Sequence, residues 1–131
     1  MTYTIIQNGP SRSFPEGDGF LSGASKDKGT DVLVLCKAPF AADPSKTAIL
    51  VELGNESLAQ HIGNDSAHSN VVGFARYRNG DDAPSKLVEL VRPLSASDAA
   101  VAAATELFTK AGLEVVVSAD QIGRIVNRLV I

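Results

Sequence analysis

The chain has 131 residues, 12 of them basic and 15 acidic, for a formal net charge of −3 at neutral pH. That length fits one domain, residues 1–131, which buries roughly two thirds of the surface its unfolded form exposes and needs no disulfide or metal staple. The charge balance gives no basic face for nucleic acid, no apolar run approaches the ~20 residues of a membrane span, and residues 1–6 lack the basic start and long apolar stretch of a signal peptide.

Residues 3–7 (YTIIQ) read as a short strand stopped by Asn8, Gly9 and Pro10. Residues 8–30 are rich in glycine and serine without periodicity. They read as a long loop, with room for a hairpin or an extended piece, and loops of that length tend to be functional or mobile. Residues 31–36 (DVLVLC) form a continuous apolar run, the pattern of a strand buried on both faces of a parallel sheet. Cys36 at its end has no second cysteine to pair with and reads as a small core residue, with a reducing cytoplasm as the expected compartment.

Residues 39–46 read as a turn or short helix, 47–52 as a second buried strand, 57–62 as a short helix ended by Gly63, and 70–76 as a third apolar strand. Residues 87–92 make a further strand. Ser95 with Asp98 three residues on reads as a capping box opening the one long helix, whose apolar positions Val101, Ala104, Leu107, Phe108 and Ala111 recur at helical spacing up to Gly112. Residues 114–118 are again a strand, and 121–131 read as the opening of an apolar helix leading toward a missing helical C-terminal domain or a second copy of the chain. Strands alternating with helices predict an α/β protein with a mostly parallel sheet.

Residues 86–92 (KLVELVR), followed about thirty residues later by 126–129 (VNRL), resemble in order and spacing the second half of the NAD-binding domain of 3-hydroxyacyl-CoA dehydrogenases. The similarity spans roughly residues 30–131 and includes residues 120–129 (DQIGRIVNRL), with Ile122 and Arg124 where the family has proline and phenylalanine. It implies a reduced, Rossmann-like three-layer fold. In that family a histidine acts as general base, taking the hydroxyl proton, while NAD takes hydride from a 3-hydroxyacyl-CoA. A glutamate orients the histidine, and a serine and an asparagine help hold the substrate. Glu89 falls on the glutamate and Asn127 on the asparagine, which makes them the candidate site residues. Ala75 stands where the histidine is required, and Glu56 or, with a one-residue slip, Ser57 at the serine.

The cofactor site departs as well. A dinucleotide fold places Gly-x-Gly-x-x-Gly after its first strand so that the backbone can approach the pyrophosphate. Here that strand is followed by residues 7–12 (QNGPSR), with one glycine and a proline. The Gly17, Gly19, Gly23 string has no strand before it. No cofactor is therefore expected for this chain, although NAD serves the parent family. His61 and His68 lack zinc spacing and read as loop residues. Arg76, Arg78 and Arg92 read as scattered surface charge rather than a CoA-phosphate patch.

Two function classes follow. One is a non-catalytic domain with a structural or assembly role in a 3-hydroxyacyl-CoA dehydrogenase of fatty-acid or aromatic-acid breakdown, partnered by a second copy or by a helical C-terminal domain. The alternative is dehydrogenase activity, or acyl-CoA or nucleotide binding, retained in a longer or dimeric protein.

Overall fold

A computed structural model of the chain describes residues 2–9, 11, 13–14, 18–25, 31–40, 43–53, 69–77, 85–93 and 96–119. Six strands run along it: β1 (Tyr3–Gln7), β2 (Val32–Cys36), β3 (Ala48–Glu52), β4 (Val71–Arg76), β5 (Leu87–Arg92) and β6 (Glu114–Ala119). Among the described residues two helices accompany them, α1 (Gly19–Ser22) and α2 (Asp98–Lys110). The strands form one sheet ordered β1-β2-β3-β4-β5-β6, parallel at every pairing except β4 with β5. This is the mostly parallel, Rossmann-like α/β architecture the sequence predicts.

The chain alternates across the sheet, so β2, β3, β4 and β5 each supply two cores. Val32, Val34, Ala48, Leu50, Val72, Phe74, Val88 and Leu90 face α2 and the segment after β1. Leu35, Ile49, Val51, Leu53, Val71 and Val91 make the core of the opposite face, with Phe40 packed against it. Every residue of β3 is buried, as a central strand covered on both sides requires. Gly73 of β4 makes room on that second face. A Cβ there would lie 2.6 Å from Leu53 Cδ1 and 3.3 Å from Val91 Cβ.

Helix α2 differs from its predicted form at its start. Its N-cap is Ser97, whose hydroxyl accepts from Ala100 N at 3.2 Å, rather than Ser95. Asp98 is the first helical residue, beside the positive end of the helix dipole. The buried stripe is Ala100, Ala103, Ala104, Leu107 and Phe108, so Val101 and Ala111 fall outside it. Gly112, at φ +85°, turns the chain from the helix into β6. The predicted turn before β3 is present, where Lys46 N bonds Asp43 O and the Asp43 carboxylate holds Ser45.

The largest departure lies in the segment read as a loop. Phe14 is fully buried and Phe20, on α1, nearly so. They stack on each other with ring centroids 4.3 Å apart, and Tyr3 stacks on Phe20 at 4.5 Å. Phe74 and Phe108 complete the cluster. The described part of residues 8–30 is thus a plug that fills one layer, with a helical turn capped by Asp18 instead of a hairpin. Isolated phenylalanines among glycines and serines carry no periodicity, and periodicity was the only signal available there. The expected helices over 57–62 and 121–131 fall outside the described residues. No helix among the described residues is long and apolar enough to cross a membrane.

Replacing Phe14 by alanine removes a ring that touches three others, and loss of such a buried ring typically costs about 3–5 kcal/mol. Urea unfolding is expected to show a drop of that size for Phe14→Ala, against a small change for Ile6→Ala, whose side chain is 43% exposed.

Candidate functional site

The antiparallel register of β4 and β5 sets Ala75 directly opposite Glu89. Residues paired in this way project to the same face, so the position matched to the family's base and the glutamate matched to its orienting partner are neighbours. Glu89 is 1% exposed on β5. In the parallel register with β6 it pairs with Val116, and Ser118, two residues on and on the same face, donates its hydroxyl to Glu89 Oε2 at 2.7 Å. The carboxylate that the family resemblance assigns to an imidazole is held here by a serine hydroxyl. Alanine has no atom that accepts or donates a proton. Asn127, the second candidate, lies outside the described residues, as do Glu56, Ser57, His61, His68 and Arg78.

A second buried carboxylate closes the other face. Glu52 ends β3 beside the carboxyl ends of β1 and β2, where a dinucleotide fold places its phosphate loop. Glu52 Oε2 accepts from Ser11 Oγ at 2.5 Å and from Ser13 N at 3.1 Å. Ser11 Oγ in turn accepts from Ser13 N at 3.2 Å and Phe14 N at 3.1 Å. The Ser13 amide thus bonds directly, and the Phe14 amide through the Ser11 hydroxyl, to an anion that the chain itself supplies. The described strands also follow chain order without reversing, so they form no crevice of the kind that opens where strand order switches.

Cys36 lies in the same corner. Its thiol is pushed up to about 12, first by burial and then by the Glu52 charge, against a smaller lowering by the Ser11 hydroxyl. It is an inert core thiol, in keeping with its reading from the sequence.

Arg76 is no surface charge. It is 11% exposed, donating from Nε to Ser85 O at 2.6 Å and from Nη1 to Ser13 O and to Asp18 Oδ2, each at 3.1 Å. Its guanidinium lies 5.7 Å from the Phe14 ring centroid. Arg92 pairs with Asp98 at 2.6 Å and bonds Ala96 O. Both arginines are engaged within the chain, and sequence reading missed the roles of Ser11, Glu52 and Arg76 because the pairs Ser11–Glu52, Arg76–Asp18 and Arg76–Ser13 lie 41, 58 and 63 residues apart. No cluster of three or more His, Cys, Asp or Glu side chains suited to a metal occurs among the described residues.

Among the described residues, those that follow β1 do not fit a dinucleotide. Ser13 N is bonded to Glu52, and Phe14 fills the layer beneath.

No protein-family model and no curated protein sequence matches the chain. Solved structures do. The (S)-3-hydroxybutyryl-CoA dehydrogenase from Ralstonia eutropha superposes with a TM-score of 0.61 at 19% identity, covering 76% of this chain and 39% of that one. The 3-hydroxyacyl-CoA dehydrogenase from Archaeoglobus fulgidus gives 0.55 at 21%, covering 76% and 37%. The 3-hydroxybutyryl-CoA dehydrogenase from Escherichia coli gives 0.61 at 20%, covering 77% and 24%. The chain thus shares the fold of these enzymes while the match spans less than two fifths of their length.

Two outcomes follow from this corner. Ser11→Ala strips Glu52 Oε2 of its hydroxyl donor in a buried setting and is expected to cost about 1–3 kcal/mol in urea unfolding. The Cys36 thiol ionises near 9.0 when unfolded and only near 12 when folded. Between those values the unfolded chain has shed a proton that the folded chain keeps, so stability falls as pH rises through the window. Comparing unfolding of the wild type with Cys36→Ala across that range checks it: the slope due to Cys36 should vanish in the variant.

Proposed function

We propose that this chain is a non-catalytic Rossmann-like domain, related to the NAD-binding domain of 3-hydroxyacyl-CoA dehydrogenases, whose role is structural or in assembly. The observation that carries the reading is Ala75 standing opposite a buried Glu89 already held by Ser118. General-base catalysis is commonly worth ~10²- to 10⁴-fold, and the position matched to the base supplies none of it. The closed segment on Glu52 supports the same reading, because a pyrophosphate at this corner would have to displace both a carboxylate and the Phe14 plug.

Isothermal titration with NADH and with acetoacetyl-CoA tests the proposal. The expected result is no saturable binding of either at millimolar concentration and no NADH oxidation. Binding of NADH in the micromolar range would overturn it. Ala75→His is a second check. It restores an imidazole across from Glu89, yet the variant should still fail to reduce acetoacetyl-CoA, since the β1 corner remains closed. Turnover by that variant would show that the corner opens to a dinucleotide.

A further inference from the structure

We propose that the outer edge of β1 is a pairing surface for a second copy of this chain, joined antiparallel about a two-fold axis at Ile6. The proposal rests on the assembly role argued above and gives it a location.

Backbone direction comes first. Val32 N bonds Thr2 O and Asn8 N bonds Cys36 O, so the even-numbered residues of β1 turn their amides and carbonyls toward β2. Tyr3, Ile5 and Gln7 therefore turn theirs outward, because successive residues of a strand alternate. The outward carbonyl of Tyr3 accepts Ser25 N at 2.8 Å. That bond closes one end of the edge. Beyond it, a groove of about 530 Å³ opens between β1 and the Leu21–Ser25 stretch, and among the described residues its lining holds no charged side chain.

The occupant follows from charge and register. Residues 2–7 (TYTIIQ) carry no charge, no proline and no lysine, the devices by which a solvent-facing edge resists pairing. An uncharged strand meets its own copy without like-charge repulsion. With Ile5 opposite Gln7 of the second copy, and Gln7 opposite its Ile5, the outward groups form two hydrogen-bonded pairs. Ile6 then faces Ile6 of the second copy across the axis. Its side chain, now 43% exposed, becomes covered on a face where it packs against nothing in the two described cores. The result is a single sheet continuous through both copies.

Sedimentation velocity and oxidative cross-linking on the full chain test this. The chain is expected to sediment as a dimer at about 100 μM. Ile6→Lys should shift it to monomer. So should Gln7→Pro, which removes an outward N–H from an exposed residue, along with the side-chain bond to Gly9 O, and leaves the β2 pairing intact. Ile6→Cys should form a disulfide-linked dimer in air, because Cα atoms of a non-hydrogen-bonded antiparallel pair lie ~4.5 Å apart, within disulfide reach. The native Cys36 is buried and does not compete. Val117→Cys, on the opposite edge and 46% exposed, should stay uncross-linked. A monomeric wild type, a dimer surviving both edge variants, or cross-linking through Val117→Cys in place of Ile6→Cys would each overturn the proposal. These readouts report mass and not ligand, so failure here leaves the titration result of the previous section standing, and the reverse.

Discussion

The structure depends on one carboxylate being satisfied from within. Glu52 ends the central strand β3 in a corner where water has little access, and an unpaired charge there would be costly. Ser11 and Ser13 reach back to it, and their bonds fix the path of the chain after β1. That path lowers Phe14 into the layer above the sheet, Phe14 gives Phe20 a ring to stack on, and Phe20 orders α1. Arg76 fastens the same segment from the β4 side by gripping Ser13 O and Asp18. A polar contact at one corner thus sets an apolar layer spanning β1 to α2.

This arrangement also explains how the described residues cover the sheet on the β1 side. In a full dinucleotide fold a helix follows the first strand and covers that region. Here two phenylalanines and one helical turn do it with far fewer residues.

The strands and the long helix were legible in the sequence because each is written locally. Residues 31–36 and 47–52 are unbroken apolar runs, and α2 repeats alanines and large apolar residues at helical spacing. The pairing of position 75 with Glu89 was legible too, but only through resemblance to a family. The plug was not, since neither Phe14 nor Phe20 sits in a pattern, and what buries them is contact with strands far along the chain. Nor was the true cap of α2, where Ser95 and Ser97 are equally good residues and only the backbone, extended at Ser97, decides between them. Arg76 misled for a similar reason: an arginine at a strand end looks solvated until its carbonyl and carboxylate partners are in place.

The reach of the Arg76 contacts has a kinetic consequence. Its bonds to Ser13 and Asp18 close loops of 63 and 58 residues, whereas β5, α2 and β6 assemble from neighbours in the chain. Long-range closures are entropically slow to form, so the β4–β6 half should condense first and the N-terminal segment dock onto it late. Interactions that form after the rate-limiting step govern how fast a protein comes apart and leave its folding speed nearly untouched. On that logic Arg76 sets the lifetime of the folded chain.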